Sequence, residues 1–222
     1  MPASKPNQAE SSIVSKKNSG LIRFWHWSNV LVICGSLITV LINSTLFDRG
    51  NDAIVLESLV NGGGEANKQQ AREVLHSFED QVWDFHIYFG YALAALLALR
   101  ILAEFMQPKH KRGFSKLKAA YQDYYLKHKE RRLASKDLFT KALYVFFYLL
   151  LVLMVITGLS IAFKNEIGLS KDISHQLKEI HGFVMYMIIG FIVLHIVGVY
   201  LAENKEGKGI VSDMINGGRE EK

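Results

Sequence analysis

Four stretches of the chain carry long apolar runs with almost no polar interruption: 24–42, 85–105, 142–163 and 180–202. Each approaches or exceeds the roughly 20 residues that a helix needs to cross the hydrocarbon core of a bilayer. A helix in a water-soluble bundle shows an apolar stripe with a polar face opposite. Residues 142–163, ALYVFFYLLLVLMVITGLSIAF, have no polar face. The pattern predicts an all-α fold: an integral membrane four-helix bundle with multi-pass topology.

The segments between the runs carry their own patterns. Residues 1–20 are polar and read as a flexible N-terminus, with no cleavage pattern after the first apolar run. The breaker NGGG at 61–64 precedes EANKQQAREVLHSFEDQVWDFH, residues 65–86, whose helical composition runs straight into the second span. YQDYYLKHKERRL, 121–133, fits an interfacial helix with aromatic residues at the lipid boundary. The expected organisation is a flexible lead-in over 1–20, a transmembrane domain over 21–205 and a tail over 206–222.

Composition agrees, and charge orients the spans. The chain has 222 residues, half of them hydrophobic, with a formal net charge of +5. Before the first span lie Lys5, Lys16, Lys17 and Arg23, and the loop 106–141 holds the basic runs KHKRGFSKLK and KHKERRLASK. The loop 43–84 has only Arg49, Lys68 and Arg72 against more numerous acids. Positive loops stay in the cytoplasm, so both termini and the middle loop are expected there. The excess charge is then a topological signal that faces lipid, not a nucleic-acid surface. The single cysteine, Cys34, lies inside a span and forms no intrachain disulfide. No phosphate-binding glycine loop, CxxC pair or Ser/His/Asp arrangement is present.

The histidines carry the chemistry. His76, His110, His128 and His175 fall in loops or at polar margins. His26, His86, His181 and His195 lie at the ends of spans. With the first span starting inside, His26 and His195 share the inner depth, and His86 and His181 the outer depth. His195 follows His181 by fourteen residues, close to four helical turns, so both project to one side about 21 Å apart along the axis. One helix thus offers one ligand at each depth, and two other helices supply the partners. Two planar b-type haems, each held between two imidazoles, fit this plan. The rival readings are interhelical hydrogen bonds, a proton relay or zinc. Zinc asks for three or four ligands close together, whereas these histidines separate into pairs.

Arg100 also lies fourteen residues beyond a histidine, His86, which puts it on the same face of the second span. An arginine inside a membrane normally has a partner. A haem propionate suits its guanidinium, and snorkelling to lipid headgroups is the alternative. Arg23 is a second candidate of the same kind. Gly90, one turn after His86, leaves room for a flat macrocycle or for close helix contact.

RFWHW (23–27), LLALRI (96–101), ITGLSIAF (156–163) and the paired histidines of the fourth span resemble the bacterial cytochrome b561 superfamily. Within it they look most like the b-type cytochrome subunit of nickel–iron hydrogenases. The tail ENKEGKGIVSDMINGGR, 203–219, resembles the short cytoplasmic ending of that family. The resemblance implies two haem b groups: an inner iron held by His26 and His195 and an outer one by His86 and His181. It further implies respiratory electron transport across the bacterial inner membrane. The electrons pass between an extracytoplasmic redox partner, such as a hydrogenase, and the quinone pool. Such a chain is an electron-transfer subunit rather than a stand-alone enzyme. Two alternatives stay open: a free-standing superoxide:quinone oxidoreductase of the same superfamily, and a haem-free membrane anchor or proton-conducting bundle.

Overall fold

The computed structural model describes residues 19–47, 52–62, 67–107, 113–126, 131–205 and 209–217. The N-terminal segment expected to be flexible lies, up to residue 18, outside the described residues. The described secondary structure is helical: α1 (Gly20–Thr45), α2 (Asp52–Asn61), α3 (Lys68–Met106), α4 (Gly113–Leu126), α5 (Arg131–Ala162), α6 (Lys171–Lys205) and α7 (Ile210–Asn216). Four of them, α1, α3, α5 and α6, are long and apolar enough to cross a membrane. They contain the four apolar runs, apart from Phe163 just beyond the end of α5.

Local chemistry fixes where these helices start and stop. Asn67 caps α3 by accepting the N–H of Gln70 at 2.9 Å, and the Gln70 side chain accepts the N–H of Asn67 at 2.9 Å. This reciprocal box satisfies two donors that a helix start leaves open. From there α3 runs 39 residues without a break, so the helix before the second span and the span itself are one element. It ends at Gln107, the residue before Pro108, whose ψ of 146° is extended. Proline disfavours the helical conformation in its predecessor. The turn from α5 to α6 uses Gly168 at φ 65°, and Ser170 opens α6 by accepting the N–H of Ile173 at 3.3 Å.

Two local expectations are corrected. The interfacial helix expected over 121–133 is displaced toward the N-terminus: α4 ends at Leu126, and 131–133 already belong to α5. Tyr121 and Tyr125, one turn apart near the end of α4, pack with ring centres 4.5 Å apart and planes tilted by 47°. The loop between the first two spans also holds a ten-residue helix, α2, that the pattern did not announce.

The chain divides into two compact units, residues 28–193 and residues 1–27 with 194–222. In the unit 28–193 the four long helices meet in a core of Val32, Leu93, Leu97, Leu150, Leu151, Val184 and Ile188. Leu93 with Leu97, and Val184 with Ile188, are one turn apart and so share an inward face. The outward faces are just as apolar: Leu41, Leu102 and Leu149 are each about 60% exposed. Such surface is suited to lipid, where each helix satisfies its own backbone.

Candidate functional site

The histidines meet two by two. In the unit 28–193, His86 of α3 and His181 of α6 face each other with ring centres 6.3 Å apart and planes at 80°. In the other unit, His26 of α1 and His195 of α6 have ring centres 6.2 Å apart and planes at 55°. An imidazole nitrogen sits roughly 2.0 Å from a first-row metal and about 1.1 Å from its own ring centre, so two imidazoles on opposite sides of one iron have centres about 6.2 Å apart. Both pairs fit a six-coordinate iron between them. Neither fits a direct hydrogen bond between the two rings, which would bring them closer.

The His86–His181 pair is also held in a tautomer suited to metal ligation. Thr39, buried in α1, donates its one hydroxyl hydrogen to the Ser36 carbonyl at 2.6 Å. Its oxygen then faces His86 Nδ1 at 3.0 Å with only lone pairs to offer. The ring must donate from Nδ1, and its Nε2 keeps a free lone pair. Thr157, buried in α5, repeats the device: it donates to the Leu153 carbonyl at 2.8 Å and stands 2.9 Å from His181 Nδ1. Fixing the far nitrogen is how metal-ligating histidines are oriented and made basic. Gly158 permits the approach, since a Cβ there would sit 3.1 Å from His181 Cε1.

Three further observations bear on whether a haem fits. A Cβ on Gly90 would meet nothing within 4 Å; this glycine leaves open space and is not explained by close helix contact. Asn43, one turn beyond Thr39 on the same face of α1, is buried with both amide atoms unpaired among the described residues. Buried amides are normally satisfied, and the polar edge of a group bound beside His86 would supply a partner. Among the described residues no three or more His, Cys, Asp or Glu come together, so a tetrahedral zinc site lacks its ligands.

The two arginines are placed differently. Arg100 donates from Nε to the Tyr148 hydroxyl at 3.1 Å, lies 5.9 Å from the centre of that ring and is 3.7 Å from Glu104. These contacts hold it among α3 and α5 side chains. Arg23, one turn before His26 on α1, lies against Gly217 with its Nε buried and unpaired among the described residues. His76 and His175 each lie beside a glutamate of their own helix, Glu79 at 3.1 Å and Glu179 at 3.5 Å, both as exposed or half-buried pairs. His110 and His128 lie outside the described residues. Thr39, Thr157 and Asn43 were not singled out from the sequence. The available signal was a polar residue on the histidine-facing side of an apolar span.

No curated protein and no solved structure matches the chain significantly. A family model described as prokaryotic cytochrome b561 matches residues 18–217, nearly the whole chain. The match takes in all four spanning helices, both histidine pairs and α7. The chain belongs to the prokaryotic cytochrome b561 family: it is a multi-pass bacterial membrane protein, a b-type haem cytochrome of electron transfer. Membership carries haem binding, which the haem-free anchor and proton-conducting alternatives lack.

Proposed function

Starting from membership of that family, we propose that this chain is a two-haem cytochrome that carries electrons across the bacterial inner membrane. Its partners are an extracytoplasmic redox protein, such as a hydrogenase, on one side and the quinone pool on the other. His26 and His195 would hold one haem b, and His86 and His181 the other. The observation that carries the reading is the ring separation, 6.2 Å and 6.3 Å in two independent pairs. When bound, haem iron supplies one-electron chemistry between its ferric and ferrous states.

The chain's own residues do the rest. The imidazoles would hold and orient the haems, and Thr39 and Thr157, by accepting from Nδ1, would keep it protonated and strengthen donation from Nε2. The apolar helices exclude water, which favours electron transfer over side reactions with solvent. The Lys and Arg distribution supports both termini lying in the cytoplasm. On that orientation His86 and His181 serve the outer partner and His26 and His195 the inner side. Direction of flow follows from the potentials of donor and acceptor, since the plan works either way.

The test is a pair of variants in the membrane-extracted protein. His195→Ala and His86→Ala should each keep one haem per chain, with different residual spectra. Two haems with unchanged spectra in His195→Ala would contradict the pairing. The quinone is tested in proteoliposomes, where reduced menaquinone or ubiquinone should reduce the haems. Failure of both to do so would remove the quinone from this reading.

A further inference from the structure

The C-terminal tail is fastened at both ends of α7. At its start, the Glu203 carboxylate accepts the N–H groups of Gly209 at 2.7 Å and Val211 at 3.2 Å. At its end, Trp27 donates from Nε1 to the Met214 carbonyl at 2.9 Å, across 187 residues of sequence. Gly217 follows at φ 84°, a left-handed conformation that disfavours any side chain. The Arg23 guanidinium lies directly over it. A Cβ on Gly217 would stand 2.8 Å from Arg23 Nη1, 3.0 Å from Cζ and 3.2 Å from Nη2.

Arg23 precedes His26 by three residues, so the two side chains leave α1 on neighbouring faces of successive turns. With its Nη end set against the tail, the guanidinium keeps a buried Nε that has no acceptor among the described residues. Leaving a buried charged donor unmet is costly, and this one sits beside a histidine of a candidate iron site. A free arginine side chain has many rotamers; a guanidinium held flat against backbone has few.

We infer that the C-terminal tail is a clamp that orients Arg23 toward a carboxylate of the group held between His26 and His195, with Gly217 and Trp27 as positioning residues. The inference rests on the two-haem reading, in which that carboxylate is a haem propionate. An arginine hydrogen-bonded to a propionate offsets its negative charge and so favours the reduced, less positive iron. Releasing the arginine lowers the potential of that haem and leaves the other unchanged.

The experiment compares the full-length protein with five variants: Arg23→Gln, Gly217→Val, a chain ending at Lys208, a chain ending at Gly217, and Arg23→Gln in the chain ending at Lys208. Haem per chain and a reductive titration followed in the visible α band are measured for each. The full-length protein should show two components, and the one missing from His195→Ala identifies the His26–His195 site. That component should fall in potential in Arg23→Gln, Gly217→Val and the chain ending at Lys208. Combining Arg23→Gln with that truncation should add nothing, because both act through one side chain. Ending the chain at Gly217 should change nothing.

Additive shifts, or an unshifted component in both Gly217→Val and the chain ending at Lys208, overturn the clamp. A full shift in the chain ending at Gly217 overturns it too, by assigning the Arg23 partner to residues 218–222. Gly217→Val retains the whole chain and so covers the case in which truncation impairs folding. A full-length haem count other than two contradicts the preceding reading, before any variant is compared.

Discussion

A threonine hydroxyl has one hydrogen to give, and at Thr39 and Thr157 it goes to a carbonyl of the same helix. What remains is an acceptor, and each of these threonines turns it toward the Nδ1 of a paired histidine. Thr157→Val keeps the shape and removes that acceptor, leaving the His181 ring N–H only the Met154 carbonyl, a loss of about 0.5–1.5 kcal/mol for one hydrogen bond. Loss of such a partner weakens metal sites by about 10–100-fold. Haem should therefore leave the Thr157→Val protein faster, to a haem scavenger, by a factor of that order, with Thr157→Ser close to the parent. Equal rates for all three would mean that the hydroxyl does not hold the ligand.

The plane angles make a second prediction at this scale. Crossed imidazole planes act alike on the two π-type iron orbitals, whereas planes closer to parallel separate them. The 80° pair, His86–His181, should give the more anisotropic low-spin ferric EPR signal, and the 55° pair, His26–His195, the less anisotropic one. In His195→Ala the more anisotropic signal should survive; survival of the other would reverse the assignment. The histidines were legible in the sequence because an imidazole is rare and expensive in an apolar span. The threonines were not, because a Thr bonded back to its own helix is common in any membrane helix.

Among the elements, α6 matters most, since it carries a histidine of each pair. The fourteen-residue separation keeps both on one side only while the helix is continuous. Inserting one alanine after Gly190 turns everything beyond it by about 100°. One haem per chain should remain, with the spectrum of a single site. Two haems in the inserted protein would show that the helical phase between His181 and His195 is not what sets the plan. The long helices were readable because a period without a polar face has few explanations, and the fusion of 68–86 with the second span followed from continuous helical composition. Helix α2 was not, since ten residues without a long apolar run look like loop. The displacement of α4 has the same origin: its weak pattern marks a helix but not its ends.

For the molecule as a whole, the sequence conveyed the class of solvent, the number of crossings and the sorting of charge, all of which are local or additive properties. The return of α7 to Trp27 and Arg23 is neither. It depends on residues nearly two hundred positions apart, with one indole, one carbonyl and one left-handed glycine as its means, and no periodicity records it. The same holds for the separation of each histidine pair, which follows from packed helices rather than from any one of them.

The central claim is that this chain binds two six-coordinate haems, and haem b counted against protein mass, together with a reductive titration of the full-length cytochrome, tests it most directly. Two haems per chain, low-spin in both oxidation states and titrating as two one-electron components, is the expected result. One haem per chain, none after expression with ample haem, or a high-spin spectrum indicating a single axial histidine would contradict it.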